Sequence, residues 1–578
     1  MSAVIHYHDI GDYLSREEKL KIIDDFGDIA HIDWQLLTPD QHGDWLNKRD
    51  SEFDAYIPLA PEQKFDYLAK SWFTIYSSGL KTGRDAWAVN HSADVLESAM
   101  KKTIAYYSDQ QKKHGHNASA VEEDRKRISW NRSLLQHFAR GEILGFEPQC
   151  VVPYAYRPFD KQLCYFNGRW NDMTYQMPKF FPLCDSASLR EQKYPNKVIW
   201  VKSPGGSKKF SCLITDCIPD IQPDGGIQCF PLYWYEKIER NDSVMELPGL
   251  EKQSGYIRHD AISDFILMEF RKIAGPRVQK EDIFHYVYGA LHKPSYRAKF
   301  AADLKKQLPR LPLPENRKEF EKVEKIGREL ANLHLHYEEI DPWPLDEVGK
   351  IDYHVTKMAW AKDGKDVRKD MLVVNENLTL AGIPAEAHQY VVNGRTPLEW
   401  LIDRYQIRTD SDSGIVNDPN KWGEEHDYPE YIVELVKRIV RLSVETVRLV
   451  EELKDKTKEG KTAEVVAAHP SATPPYWWKS GVWGVESPMP EGGNVVMSLK
   501  HKWYDKIEAG LKHDEFREKK PYWDKFLEGR KGKELRSVTF LRGQGSPIKM
   551  TWEVNSVETA KDPGRTGFYI LHLGKRIK

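Results

Sequence analysis

Three short stretches of this chain gather cations where they could hold an anionic polymer. In Lys81-Thr82-Gly83-Arg84, two cations flank a glycine within the loop Ser77–Asp85, whose glycines allow close backbone approach. Arg157, Lys161 and Arg169 lie in the aromatic-rich run YRPFDKQLCYFNGRW, and Arg395, Arg404 and Arg408 form a third set. Lys and Arg bond phosphate oxygens, and the planar Arg fork also matches base edges in a major groove. The competing reading of each is an ordinary surface or ion-paired cation. Arg404 beside Asp403 reads as an internal pair.

Other chemistries find less support. The six cysteines, Cys150, Cys164, Cys184, Cys212, Cys217 and Cys229, form no CxxC pair and have no His-x3-5-His partner. They read as buried free thiols rather than zinc ligands. Gly460-Lys461-Thr462 ends like a P-loop, but Asp455 stands where the first glycine is required, so no phosphate cradle is expected. Pro219-Asp220 could open a nuclease motif, yet no acidic-x-Lys follows on a strand. The sequence therefore assigns no catalytic residue, no metal and no cofactor.

The elements that must position the cations are legible from periodicity and punctuation. Ser15-Arg16-Glu17-Glu18 is a capping box opening the helix KLKIIDDF, and Thr38-Pro39 is a second helix-start signal. From Val151 to Tyr235 the texture is short β runs, KVIWVK, FSCLIT and CFPLYWY, separated by Gly and Pro. Helices are expected over Asp260–Ile273, stopped by Gly275-Pro276, and again over Glu281–Pro312. There Phe284, Val287, Tyr288 and Leu291 share a stripe, His292-Lys293-Pro294 breaks it, and a second helix carries Tyr296, Phe300 and Leu304. Lys357–Asn420 is mixed, and Tyr431–Lys454 is one long amphipathic helix rich in β-branched residues, which packing must hold. The charged and Pro-rich run up to Asn494 reads as a linker, within which Trp477, Trp478 and Trp483 are expected to dock on a neighbouring surface.

At 578 residues the chain has room for about three or four domains. Its 40% hydrophobic and 30% charged content suits a globular protein. Met1-Ser2-Ala3-Val4 opens no signal peptide, and no apolar run approaches a membrane span, so a cytoplasmic location without a membrane partner is expected. Net charge is −2 but unevenly spread. Val495–Lys578 holds 19 Lys+Arg against 11 Asp+Glu, a net of +8, and the remainder holds 66 against 76, a net of −10. A basic C-terminal module of this kind is where a nucleic-acid footprint is expected.

Seven phrases in one order carry a family resemblance. They are HYHDIGDYLSREEKL (His6–Leu20), SGLKTGRDAWAVN (Ser78–Asn90), YRPFDKQLCYF (Tyr156–Phe166), DGGIQCFPLYWYE (Asp224–Glu236), the tract Glu281–Pro312, IGRELANLHLHYE (Ile326–Glu338) and PLEWLIDRYQIRTDSDSGIVNDPN (Pro397–Asn420). From about Ile5 to Val450 the chain resembles the C-terminal specificity region of single-polypeptide type I (type ISP) restriction–modification enzymes. In that family a nuclease, a translocating ATPase and an adenine methyltransferase precede this region, which docks on duplex DNA and carries no chemistry itself. The methyltransferase tetrad Asn-Pro-Pro-aromatic is not matched: Asn417-Asp418-Pro419-Asn420 lacks the second Pro and the aromatic. The resemblance thus implies sequence-specific recognition of double-stranded DNA, with methyltransferase and translocase activities on separate subunits or on a missing part.

The end of the chain resembles a second family. VVMSLKHKWYDKIEAGLKHDEFREKK reads strand, helix, strand, with Gly510 just past the helix and charged residues alternating through Lys512, Glu515 and Arg517. Glu515 and Arg517 fall on one strand face, and GFYILHLGKRI is a final strand. This is similar to the ASCH domain, a PUA-like β-barrel that binds RNA or modified bases in a cleft beside this motif. Some ASCH proteins hydrolyse acylated cytidine with a Lys, a Thr and a Glu; Glu515 stands where that Thr would lie, which favours binding over hydrolysis.

The expected fold class is α+β: a multidomain mixed helical and β target-recognition region followed by a small PUA-like β-barrel. Its expected boundaries are 1–345 and 346–456 for the two parts of the recognition region, 457–494 for the linker and 495–578 for the barrel. The alternative function is an RNA or modified-base binding protein, or a nucleoside amidohydrolase, centred on the ASCH-like module.

Overall fold

The computed structural model describes residues 4–454 apart from 12–13, 41–42, 47–48, 63–69, 184–193, 206–208, 224 and 239–254, together with five strands between 494 and 576. The chain divides into two compact units. One holds Met1–Lys64, Ser71–Ile262 and Glu269–Lys454; the other holds Asp455–Lys578 with the short segments Phe65–Lys70 and Ser263–Met268.

The apolar β runs of the sequence become buried strands. Val198–Lys202 is central in a three-stranded sheet between Ile227–Pro231 and Cys212–Thr215, and every residue of the central strand is buried. That is why its sequence is continuously apolar rather than alternating. Beside the cationic segments lies a four-stranded sheet in the order Val89–Asn90, Asp160–Tyr165, Val151–Arg157, Ile218–Pro219. Five cysteines, Cys150, Cys164, Cys212, Cys217 and Cys229, are buried free thiols, and Cys184 lies outside the described residues.

Three helices form the scaffold on which the later segments rest. Helix Lys280–His292 carries Ile283 to His292 entirely buried, and helix Arg317–Leu335 buries Phe320, Val323, Ile326, Leu330 and Leu335. They cross at paired glycines. A Cβ on Gly289 would lie 2.5 Å from the Val323 carbonyl oxygen, and one on Gly327 would collide with the His285 carbonyl. Only glycine lets the two backbones approach this closely. The long helix Tyr431–Glu452 is held by packing as its composition requires, with Ile432, Leu435, Ile439 and Leu442 buried. A buried polar chain ties the three together: Tyr288 hydroxyl to His334 Nδ1 at 2.6 Å and His334 Nε2 to Thr446 Oγ1 at 2.8 Å. Burial pushes His334 down to about 3 and His285 down to about 4, so both imidazoles are neutral at pH 7.

Several boundaries differ from the sequence reading. The capping box forms, with Ser15 N–H donating to Glu18 Oε2 at 2.7 Å and Glu18 N–H to Ser15 Oγ at 3.2 Å, and the helix runs Arg16–Asp25. No helix follows Thr38-Pro39 among the described residues; Asp44 N–H donates to the Asp40 carboxylate at 3.0 Å. The helix expected from Asp260 begins at Asp264, because Asp260 ends the strand Tyr256–Asp260; it runs to Ala274 before Gly275. After Pro294 the helix lasts only to Lys299, followed by a 3-10 turn at Asp303–Lys305. Tyr296, Phe300 and Leu304 are buried as expected, but not along one continuous helix.

In the second unit the five strands are Asn494–Leu499, Asp514–Glu518, Ser537–Arg542, Lys549–Ala560 and Phe568–Arg576. Asn494–Leu499 pairs parallel with Ser537–Arg542, and Asp514–Glu518 lies at the opposite edge, antiparallel to Phe568–Arg576. Among the described residues this order does not close into a barrel. Lys512, Gly460-Lys461-Thr462 and Trp477, Trp478 and Trp483 lie outside the described residues; Glu515 and Arg517 fall within the edge strand.

Candidate nucleic-acid interface

The cations nearest the N-terminus turn largely inward. Lys81 bridges to Met173, and exposure alternates along the segment: Lys81 and Gly83 are exposed, Thr82 and Arg84 buried. Lys81 ion-pairs with Asp172 at 2.6 Å. The Arg84 guanidinium lies 5.6 Å from the Trp170 ring centroid, and burial pulls it down to about 10. The loop's glycines serve the protein's own backbone: a Cβ on Gly79 would strike the Asp220 carbonyl, and one on Gly83, at φ 69°, would meet Asp172 Cβ at 2.8 Å.

Arg157 and Lys161 are tied into the same interior. Arg157 Nη1 donates to the Tyr156 carbonyl at 2.6 Å and pairs with Asp220 at 3.2 Å, its guanidinium 3.8 Å from the centroid of the Tyr156 ring. Asp220 also accepts from Tyr154 hydroxyl at 2.5 Å and Gln222 N–H at 2.6 Å. Burial pushes its carboxyl up to about 6, against the pull of Arg157. Lys161 Nζ donates to the Leu335 carbonyl at 3.3 Å and pairs with Glu338 at 3.2 Å and Asp216 at 3.8 Å. Arg157 and Lys161 also line a crevice of about 30 Å³ with Phe159 and Trp200, which is room for a water and too small for a nucleobase. Arg169 is exposed and lies 3.5 Å from Glu142.

The third set turns outward. Helix Pro397–Arg404 starts from a formed capping box, Thr396 with Glu399, and carries Asp403 in its last turn. Arg395 Nη1, Arg404 Nε and Arg408 Nη2 reach that carboxylate at 2.7, 3.0 and 2.7 Å. Partial burial alone would raise Asp403; hydrogen bonds from Arg404, Arg395 and Arg408 override it and hold the carboxyl at about 2. Three cations on one anion leave a local net of +2. Arg395 and Arg408 keep 45% and 44% of their side-chain surface exposed, against 17% for Arg157. Each guanidinium has five donors, so those turned to solvent remain available after bonding Asp403. Arg395 is further fixed over the Trp400 ring, 5.0 Å from its centroid.

A second element beside this cluster carries cations that the sequence reading left unassigned. Strands Ala359–Asp363 and Asp366–Val373 form a hairpin whose neighbour, Leu378–Ala381, reaches it only at Met371–Val373. The ribbon from Lys362 to Asp370 therefore projects beyond the sheet, and every residue in it is exposed. Gly364, at φ 58°, supplies the positive φ that a two-residue hairpin loop demands. Lys362 is paired in register with Val367, so these two share a face, and Asp363, Asp366 and Arg368 occupy the other; a register shift then sets residues 369–371 in a bulge. Lys369 bonds Glu399 at 3.1 Å, one helical turn from Asp403, so the ribbon meets the helix that carries Asp403. Asp363-Gly364 between alternating residues was the signal that could have revealed this hairpin.

The family model for the Type ISP C-terminal specificity domain matches residues 71–435, which is well over half of the chain. The chain belongs to that family. Three solved structures resemble the chain, each over 78% of its length. The ATP-dependent Type ISP restriction-modification enzyme LlaBIII bound to DNA is 34% identical with a TM-score of 0.67. A nuclease-deletion mutant of the Type ISP enzyme LlaGI, in complex with a DNA substrate mimic, is 34% identical with a TM-score of 0.64. The DrdV–DNA complex is 29% identical with a TM-score of 0.65. The chain spans only 28%, 33% and 43% of those three proteins, respectively. No curated protein sequence is significantly similar to it. No helix among the described residues is long and apolar enough to cross a membrane.

Proposed function

We propose that this chain reads a sequence in double-stranded DNA as the specificity part of a Type ISP-like restriction–modification or phage-defence system. Methylation, translocation and cleavage are assigned to polypeptide beyond these 578 residues, on the same chain or on separate subunits, and a cytoplasmic location goes with this role. The observation that carries the reading is the exposed arginine cluster on Asp403 beside the projecting ribbon. A two-stranded ribbon fits the B-DNA major groove, which is about 12 Å wide. In this arrangement Lys362 and Lys365 meet phosphates, Arg395 and Arg408 meet phosphate or guanine, and the exposed Val367 side chain can meet a thymine methyl. Lys81 and Arg169 are flanking phosphate contacts, whereas Arg84, Arg157 and Lys161 support the surface from beneath.

Selection from a random duplex pool at moderate salt tests this reading. One motif is expected to be enriched, with affinity falling steeply as salt rises. Failure to enrich any sequence overturns it.

A second reading gives the +8 segment Val495–Lys578, through Lys512, Glu515 and Arg517, a role in binding RNA or modified bases. Competition of RNA against duplex DNA on the full chain separates the two. Under this second reading RNA displaces DNA poorly, and Lys512→Ala weakens RNA binding alone.

A further inference from the structure

The inward-turned arginines of this chain meet acceptors, with one exception. Arg157 pairs with Asp220 at 3.2 Å, and Arg297 Nε donates to the Leu291 carbonyl at 2.6 Å. Arg84 lies deeper than either, at 4% exposure, yet its Nε and Nη1 are buried without a hydrogen-bond partner among the described residues. The indole Nε1–H of Trp170, a side chain 1% exposed, is in the same state. These two orphaned groups are neighbours, the guanidinium carbon lying 5.6 Å from the Trp170 ring centroid.

Backbone geometry brings them together. The Asp172 N–H donates to the Thr82 carbonyl at 3.0 Å, and Lys81 and Met173 bond each other in both directions. Residues 81–84 therefore lie along residues 170–173. Tyr107 meets the Trp170 ring edge to face at 5.6 Å and fixes the indole. Asp172 is the carboxylate whose charge favours the Arg84 cation, but its oxygens are engaged elsewhere. Oδ2 pairs with Lys81 at 2.6 Å, and Oδ1 accepts from Asn131 Nδ2 at 3.3 Å.

Magnitudes decide what Arg84 lacks. Burial pulls it down to about 10, which still leaves it protonated at pH 7. Stripping a cation of water costs several kcal/mol, whereas an aromatic face returns about 0.5–2 kcal/mol. Trp170 alone therefore does not offset the burial of this charge. A bridging water would accept hydrogen bonds but add no counter-charge; an anion does both. Enclosure limits its size. Nε and Nη1 are out of reach of solvent, so a duplex backbone cannot touch them while the unit stays folded. We propose that Arg84 and Trp170 hold a single-atom monoanion, of chloride or bromide size, beneath the Lys81–Arg84 loop. It is the counter-ion to Arg84 that Asp220 is to Arg157. The inference does not depend on which residues read DNA.

The test is thermal unfolding of the full chain at constant ionic strength, with chloride replaced stepwise by gluconate, which is too large for the site. The midpoint is expected to fall as chloride is withdrawn and to recover with bromide, following mass action at one site. Trp170→Phe, which keeps a ring against Tyr107, should weaken the apparent anion affinity about ten-fold. Arg84→Met should make the midpoint independent of the anion. In gluconate that variant should melt no lower than the wild type, because an unpaired buried charge has been removed. A crystal grown in bromide should show an anomalous peak between Arg84 and Trp170, which decides the matter even if a variant fails to fold. A wild-type midpoint indifferent to the anion overturns the proposal, as does a bromide crystal without that peak. Duplex DNA should leave the peak in place; its loss would assign the site to a backbone phosphate, with the same consequence.

Discussion

Three of the cations before residue 170 and the arginines after 390 carry the same charge in opposite situations. Arg84, Arg157 and Lys161 point into the unit, where an aromatic face or a buried carboxylate receives them. Arg395, Arg404 and Arg408 gather on the single carboxylate of Asp403 at the surface, and charge is left over. A buried cation serves stability, because its removal strands a carboxylate in a low-dielectric interior. An exposed, preorganised cluster can serve binding, because its spare donors face solvent and lose little entropy when a phosphate arrives. Counting arginines therefore does not locate an interface; their direction does.

The sharpest way to break this contrast is Arg157→Ala. Asp220, already raised to about 6, would lose its cation, and the folded state should be destabilised by about 3–5 kcal/mol with DNA affinity of the folded fraction unchanged. Urea denaturation beside a binding titration decides it, and unchanged stability would remove Arg157 from the supporting set. Next in size, Arg395→Ala with Arg408→Ala should cost about 2–4 kcal/mol of duplex binding and lower the salt slope by about 2, with a smaller loss of urea midpoint than Arg157→Ala because Arg404 still pairs with Asp403. A lost midpoint with intact binding would invert the two roles.

A pH series probes the interior of the contrast. His285 and His334 are held at about 4 and about 3 in the folded chain, below the usual 6.5, so the unfolded chain takes up protons first as pH falls. Stability is full above about 6.5 and declines as pH drops from there toward 3–4. Asp220 opposes this, since a carboxyl raised to about 6 favours the folded state as pH falls through that value. The histidines outnumber it, and thermal melts should show a net loss between pH 7 and 5; His334→Gln should reduce the loss. The smallest effect belongs to Lys81→Ala. Its half-exposed pair with Asp172 should change stability by no more than about 0.5 kcal/mol, and binding by no more than one phosphate contact.

Local signals located most elements. The capping box at Ser15–Glu18, the buried run Val198–Lys202 and the stripe of Tyr431–Glu452 follow from hydrogen-bond chemistry and apolar spacing within a few residues. Thr38-Pro39 misled because a Pro-led loop and a Pro-led helix start alike, and the Asp40 carboxylate accepts from Asp44 N–H instead. The helix after Pro294 stopped early, and Phe300 and Leu304 reached the core through a 3-10 turn instead.

The sequence by itself determined the family, the α and β segments, and the three stretches where cations accumulate. Period, punctuation and phrase order are local, so they survive reading one residue at a time. Which stretch faces out was decided only by tertiary structure. Arg157 meets Asp220 across 63 positions, Lys161 meets Glu338 across 177, and Lys369 docks on Glu399 across 30. Partners so distant in the chain leave no trace in local pattern, yet they fix whether a cation is neutralised inside or left free to meet a phosphate.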